Sequence, residues 1–266
     1  MSLLRLPEPY DFALSLRRFV VFGTDLANRF VDGVLHRAVA GRDVAIGPVE
    51  GGVDVEPLDD ETRPVVLRLL GAPFELDPFY AWAEGPMRVL VEGLRGFRPP
   101  LQPDPFEALV TSITAQQVSL FSAVAIRNRV IERLGERVGE AWAFPSRERI
   151  AAAREDELVG VGLTRRKAEY AVALARGDLD LDGLAALDDD EVRARITAQR
   201  GLGPWTAEWF LARHLARPRA WPAGDLVLRK VAALLYGVDV DELGRRLDPF
   251  QNLSAHYLLT GSRVAA

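Results

Sequence analysis

Residues 200–225, RGLGPWTAEWFLARHLARPRAWPAGD, constrain this chain more than any other stretch. Gly201 and Gly203 bracket Leu202, a helix-compatible segment over 189–198 precedes them, and Pro204 opens another over 204–217. Helices joined by so short a link must fold back on each other, and glycine lets the chain take positive φ and lets another backbone approach closely. The first N–H groups of a helix have no intrahelical acceptor, and proline donates none, so Gly201, Gly203 and Trp205 remain as donors. Such a terminus suits an anionic oxygen, a phosphate above all. It also suits an ordinary helix–helix turn.

Beyond it, Trp221-Pro222-Ala223-Gly224 leads into Asp225, just before a helical run over 225–236. Aspartate there is an N-cap, and the helix terminus favours its ionised form, so capping and a functional carboxylate are compatible.

The rest of the chain divides in two. Up to about residue 75 it reads as mixed α/β. Phe12, Leu14 and Leu16 alternate, and Thr24 caps a short helix ending at Gly33. Runs over 34–40, 44–49 and 53–55 are strand-like, separated by Gly41-Arg42 and Gly51-Gly52, and a helix over 63–70 stops at Gly71. After that the pattern is helical. Asp-Pro opens helices at Asp77-Pro78, Asp104-Pro105 and Asp248-Pro249, with Glu107 completing a capping box. Further helices are expected over 119–134, 146–153 and 164–176, and the loop 99–105 is a candidate boundary.

Composition narrows the chemistry. The 266-residue chain has no cysteine, which excludes disulfides and Cys-ligated zinc or iron–sulfur sites, and only three dispersed histidines, so no metal site is expected. No apolar run reaches membrane-spanning length and no leader pattern opens the chain, so a cytoplasmic, nucleoid-associated protein with no membrane partner is expected. Net charge is −5, which argues against a bulk electrostatic grip on nucleic acid. Acids cluster over 50–61 and 178–191, while 193–230 is predominantly basic.

Gly201-Leu202-Gly203-Pro204-Trp205-Thr206-Ala207, followed by Pro222, Gly224 and Asp225, resembles the helix-hairpin-helix/Gly-Pro-Asp superfamily of DNA base-excision glycosylases. Ile113-Thr114-Ala115-Gln116-Gln117-Val118-Ser119 and LVGVGLTRRKAEYAVALA at 158–175 extend the likeness upstream. Pro9-Tyr10-Asp11-Phe12 resembles the start of its bacterial 3-methyladenine type II branch. The resemblance implies an α+β fold: a TBP-like domain over 1–77, a helical subdomain from 78–104 and 226–266, and another over 105–225 carrying the hairpin at about 189–217.

The resemblance also assigns roles. Asp225 would be catalytic, and Trp205 and Trp209 would flank the base. Gly201, Gly203, Thr206 and Arg200 would meet DNA, and Gln117 would stand where a side chain fills the gap left by a flipped base. The family's hairpin often holds a monovalent cation on backbone carbonyls, and no other cofactor is implied. Lyases of the superfamily carry a nucleophilic lysine at the position of Trp205, whereas Lys167 and Lys230 are the only lysines here.

The expected protein is therefore a monomeric, monofunctional glycosylase removing alkylated purines such as 3-methyladenine and 7-methylguanine from double-stranded DNA. Its rival is a non-catalytic hairpin protein that binds damaged DNA, which would have no use for a carboxylate facing phosphate. One departure stands out: the family's C-terminal Trp-x-Pro-Trp, often followed by arginine, reads Leu247-Asp248-Pro249-Phe250-Gln251.

Overall fold

The computed structural model describes residues 2–264. Strands β1 (Leu3–Leu4), β2 (Arg29–Val31), β3 (Val34–Val39), β4 (Arg42–Val49) and β5 (Gly52–Glu56) form one antiparallel sheet in the order β1-β5-β4-β3-β2. Two of its turns have positive φ at both central residues, Asp32-Gly33 (48° and 83°) and Ala40-Gly41 (48° and 72°). That geometry matches the right-handed twist of the paired strands. Pairing of Leu35 with Ile46 and of Ile46 with Val55 sets alternate residues on one face. There they meet Leu16, Phe19, Val66 and Leu69 from helices α1 (Phe12–Leu16), α2 (Arg18–Val21) and α3 (Thr62–Leu69).

The chain then becomes helical: α4 (Leu76–Trp82), α5 (Gly85–Gly93), α6 (Pro105–Ala115), α7 (Leu120–Leu134), α8 (Arg147–Ala152), α9 (Glu155–Gly160), α10 (Arg165–Arg176), α11 (Asp189–Thr197), α12 (Pro204–Arg213), α13 (Leu226–Tyr236), α14 (Val240–Arg246) and α15 (Gln251–Val264). A short hairpin of β6 (Glu136–Val138) and β7 (Ala141–Ala143) interrupts them. Phe79, Leu109, Ile196, Phe210, Leu228 and Tyr257 belong to one continuous helical core, separate from the core of the sheet.

Several boundaries differ from the sequence reading. Asp11 caps α1 through the Leu14 N–H at 2.8 Å, so Phe12, Leu14 and Leu16 lie on a helix despite their alternation. Asp25, not Thr24, caps a single 3₁₀ turn, and Gly33 ends a strand turn rather than a helix. Glu75 precedes α4, placing Asp77-Pro78 inside its first turn. Asp248-Pro249 is a cis peptide ahead of α15, and Asp248 accepts from Arg219 at 2.9 Å and Gln251 at 3.1 Å. Helix α12 ends at Arg213, four residues short of the expected 217, and the chain takes a positive φ (56°) at Ala216.

The Asp104 cap on the Glu107 N–H is present, at 2.6 Å, but the Glu107 carboxylate does not return to close the box. It is buried between two guanidinium groups, 2.6 Å from Arg37 on β3 and 2.5 Å from Arg127 on α7. Arg127 also holds Asp25 at 2.6 Å. Burial alone would raise both carboxyl groups, yet Arg37 and Arg127 outweigh it and hold Asp25 and Glu107 below their ordinary range.

Carboxylates depressed in the folded state contribute stability that is complete above their unfolded values and declines as pH falls through the folded ones. Glu107→Gln leaves two buried cations short of charge and is expected to cost about 3–5 kcal/mol. Chemical unfolding across pH should show that loss at neutrality, and a shallower fall than wild type below about pH 4.

Candidate active site

The hairpin is built as the sequence suggests. Asp188 caps α11 through the Glu191 N–H at 2.8 Å, and the Leu202 N–H closes the turn on Gln199 O at 3.1 Å. Gly201 has φ +86°, and a Cβ there would penetrate the Tyr170 ring of α10. Gly203 caps α12 without a side chain and faces open space. Among the described residues, no protein acceptor takes the N–H of Gly201, Gly203 or Trp205. Three donors therefore remain at the start of a ten-residue helix.

Gln116 donates from Nε2 to Gly201 O at 2.9 Å, tying the loop between α6 and α7 to the hairpin. Beside it, exposed Gln117 adopts φ 54°, a conformation uncommon outside glycine, asparagine and aspartate. Hairpin and Gln117 loop are thus neighbours, although far apart in sequence.

Asp225 caps α13: its Oδ1 accepts from the N–H groups of Val227 at 2.9 Å and Leu228 at 3.2 Å. Oδ2 receives no hydrogen bond from the described residues. The loop before it is held by Ala223 N–H on Trp221 O and Asp225 N–H on Pro222 O, each 2.8 Å. Half-buried Trp205 lies against this loop, its Cβ and Cδ1 3.5 Å from where a Gly224 Cβ would stand. Trp205 therefore adjoins the residue before Asp225.

The other assigned residues lie at different depths. Thr206 is 1% exposed and its N–H bonds Gly203 O at 3.0 Å, so neither side chain nor amide faces outward. Trp209 is 3% exposed, with the Arg213 guanidinium 3.5 Å above its ring and His256 at 5.7 Å in a T-shaped contact. It shares a helix face with Trp205 but lies deeper, as a packing residue. Arg200 is exposed beside the hairpin, bonded to Glu169 at 3.0 Å and 5.9 Å from the Tyr170 ring centre. Exposed pairs of this kind are worth little and exchange readily.

Neither lysine stands at the Trp205 position. Buried Lys167 gives its amine to Thr114 O at 3.0 Å, and burial holds its pKa below the ordinary value; Lys230 is exposed on α13. His214 is structural: Nδ1 lies 2.7 Å from Gln102 O, and burial pushes its pKa down to about 4. At the divergent C-terminal motif, Leu247 is buried and Phe250 packs on Phe79 and Trp82 at 5.7 and 5.2 Å. Sequence reasoning did not anticipate that Leu226 (71% exposed) and Val227 (40%), which follow Asp225, would be left open to solvent. Their signal is the excess of apolar residues around every side of α13, more than one buried stripe needs.

The family model described as HhH-GPD superfamily base excision DNA repair protein matches residues 110–247, which include the Gln117 loop, the hairpin and Asp225. The chain belongs to that superfamily. It is 30% identical over 189 residues to a DNA-3-methyladenine glycosylase of Bacillus subtilis, covering 66% of this chain and 62% of that one. It is 33% identical over 138 residues to DNA-3-methyladenine glycosylase 2 of Escherichia coli, covering 50% and 47%. The matched part thus spans about half to two thirds of these relatives. A solved 3-methyladenine DNA-glycosylase from Archaeoglobus fulgidus superposes with a TM-score of 0.88 at 26% identity, covering 100% of this chain and 99% of that one.

The two hairpin glycines should respond differently to alanine. Gly201→Ala meets both a left-handed backbone and the Tyr170 ring and is expected to lose about 2 kcal/mol or more. Gly203→Ala, in open space with an allowed backbone, should unfold within a few degrees of wild type, as thermal melts will show.

Proposed function

We propose that this protein is a monofunctional DNA glycosylase that removes alkylated purines from double-stranded DNA, acting as a monomer. The observation that carries it is Asp225: one carboxylate oxygen is committed to the cap of α13, while the other receives no hydrogen bond from the described residues, in a loop that Trp205 packs against at Gly224. A protein that only bound DNA could take the same cap from a neutral asparagine, without an anion facing phosphate. The names of the relatives, and the solved glycosylase that superposes over the whole chain, support the same reading.

In this scheme the amides of Gly201, Gly203 and Trp205 take backbone phosphate oxygens. Gln117, projecting from its loop, occupies the gap left by the everted nucleotide, and Trp205 meets the base, a cation attracted to an aromatic face. A 3- or 7-alkylated purine carries positive charge, so it departs with the glycosidic electron pair as a neutral base and needs no general acid. Positive charge shifts to the sugar, where Asp225 Oδ2 stabilises it. Water adds at C1′ and gives up its proton to the carboxylate or to solvent, leaving an abasic site and an intact strand. A monovalent cation on the hairpin carbonyls would add to the phosphate grip without entering the chemistry.

Asparagine caps helices about as well as aspartate, so Asp225→Asn separates charge from structure. With methylated duplex DNA, wild type should release 3-methyladenine and 7-methylguanine without nicking. The variant should keep the wild-type melting temperature and lose about 100-fold or more in release rate. Equal rates would remove Asp225 from the chemistry, strand nicks would show a lyase, and binding without release would leave a non-catalytic protein.

A further inference from the structure

Glu208 lies on α12 between Trp205 and Trp209, and its carboxylate joins two parts of the site. Oε1 accepts from Arg193 Nε, across the hairpin on α11, at 2.6 Å. Oε2 accepts from the backbone N–H of Trp221 at 2.9 Å. Arg193 is held in turn by Asp190 at 2.8 Å. Trp221 is the first residue of the segment ending at Asp225, and it is also fixed by its indole, which donates to Val240 O at 2.9 Å. After Trp221 the chain closes on itself within four residues through the Ala223 and Asp225 amides. Arg229 Nε holds Ala223 O at 2.8 Å from the other side. One carboxylate thus connects the helix that presents the phosphate donors to the loop that presents Asp225.

We infer that Glu208 is a positioning residue for base excision, acting through Asp225; the inference rests on the glycosylase reading above. Phosphate held on the hairpin and the oxygen that stabilises the sugar cation belong to different segments, and the reaction needs their separation fixed. An ionised carboxylate is an acceptor at both oxygens, and its hydrogen bonds are stronger than neutral ones. It therefore serves the Arg193 and Trp221 donors together. A glutamine has a single acceptor oxygen and must turn its NH₂ toward one of those donors. Glu208→Gln keeps one bond and Glu208→Ala keeps neither.

The test measures three quantities in the full-length chain: single-turnover release of 7-methylguanine with enzyme in excess, affinity for duplex DNA bearing an abasic-site analogue, and melting temperature. Displacement of a reacting group by about 1 Å costs on the order of 100-fold. Release is expected to slow by about 10- to 100-fold in Glu208→Ala and by less in Glu208→Gln, with abasic-duplex affinity held within about twofold. A residue that only supports the fold would instead lower melting temperature and affinity together and leave the saturating rate intact. That result would overturn the inference, as would a rate loss matched by an equal affinity loss.

If Glu208→Ala does not fold, the rate-against-affinity split in Glu208→Gln decides. Combining Glu208→Gln with Asp225→Asn gives an independent check. Action through Asp225 predicts little further slowing over Asp225→Asn alone, and additive losses would refute it. Wild type that releases no base overturns the glycosylase reading and this inference together. An active wild type with unaffected Glu208 variants overturns only this one.

Discussion

The buried carboxylate of Glu107, shared by Arg37 and Arg127, is the interaction on which the rest of the structure depends. Glu107 sits near the start of α6 and Arg127 midway along α7, while the Gln116–Gln117 loop joins the other ends of these two helices. Fastening the pair opposite the loop fixes their spacing, and hence where the loop projects. Arg37 carries the constraint into the N-terminal sheet, and Asp25, through Arg127, into the segment that leads to β2. Charges buried this way gain little net stability over apolar packing, but they tolerate no other pairing. Their contribution is to orientation: the pairs hold sheet, α6 and α7 in the arrangement that brings the four charged groups together.

A second constraint concerns where the cations of this acidic chain are used. The basic segment over 193–230 invites a simple electrostatic reading, yet most of its cations are engaged within the protein. Arg193 meets Glu208 and Asp190, Arg217 meets Asp189, Arg219 meets Asp248, and Arg213 covers Trp209. In the proposed scheme the donors for phosphate are then chiefly backbone amides. These carry no net charge to be screened, so the grip relies on geometry more than on field.

Much of this was legible in the sequence where local chemistry decides local structure. Asp104, Ser119, Ser146, Thr164 and Asp225 all cap the helices they precede, because a short acceptor side chain before an apolar period has few other uses. The hairpin glycines and the strands over 34–56 were legible for the same reason. What escaped depends on distant partners. Asp32-Gly33 reads equally as a helix stop and as a strand turn, and only the pairing of β2 with β3 settles it. Glu107 has the spacing of a capping box, but two arginines from other elements outcompete the local amide. Trp205 and Trp209 share a face by periodicity, yet their different depths depend on the loop at Gly224 and on His256 of α15, which lie further along the chain. The Tyr170 ring beneath Gly201 gives no sign of itself in either segment alone.

That last contact has a consequence for descent. Gly201 is fixed by the left-handed backbone of its own turn and also by an aromatic ring contributed by a helix some thirty positions earlier. Neither position can drift alone: a side chain at 201 needs a smaller residue at 170 as well as a turn that tolerates it, and the loss of the ring removes the surface on which the turn rests. Among related chains the two sites should be inherited as a unit, with exchanges at one accompanied by exchanges at the other. A glycine turn that looks autonomous in sequence is, in its history, half of a pair.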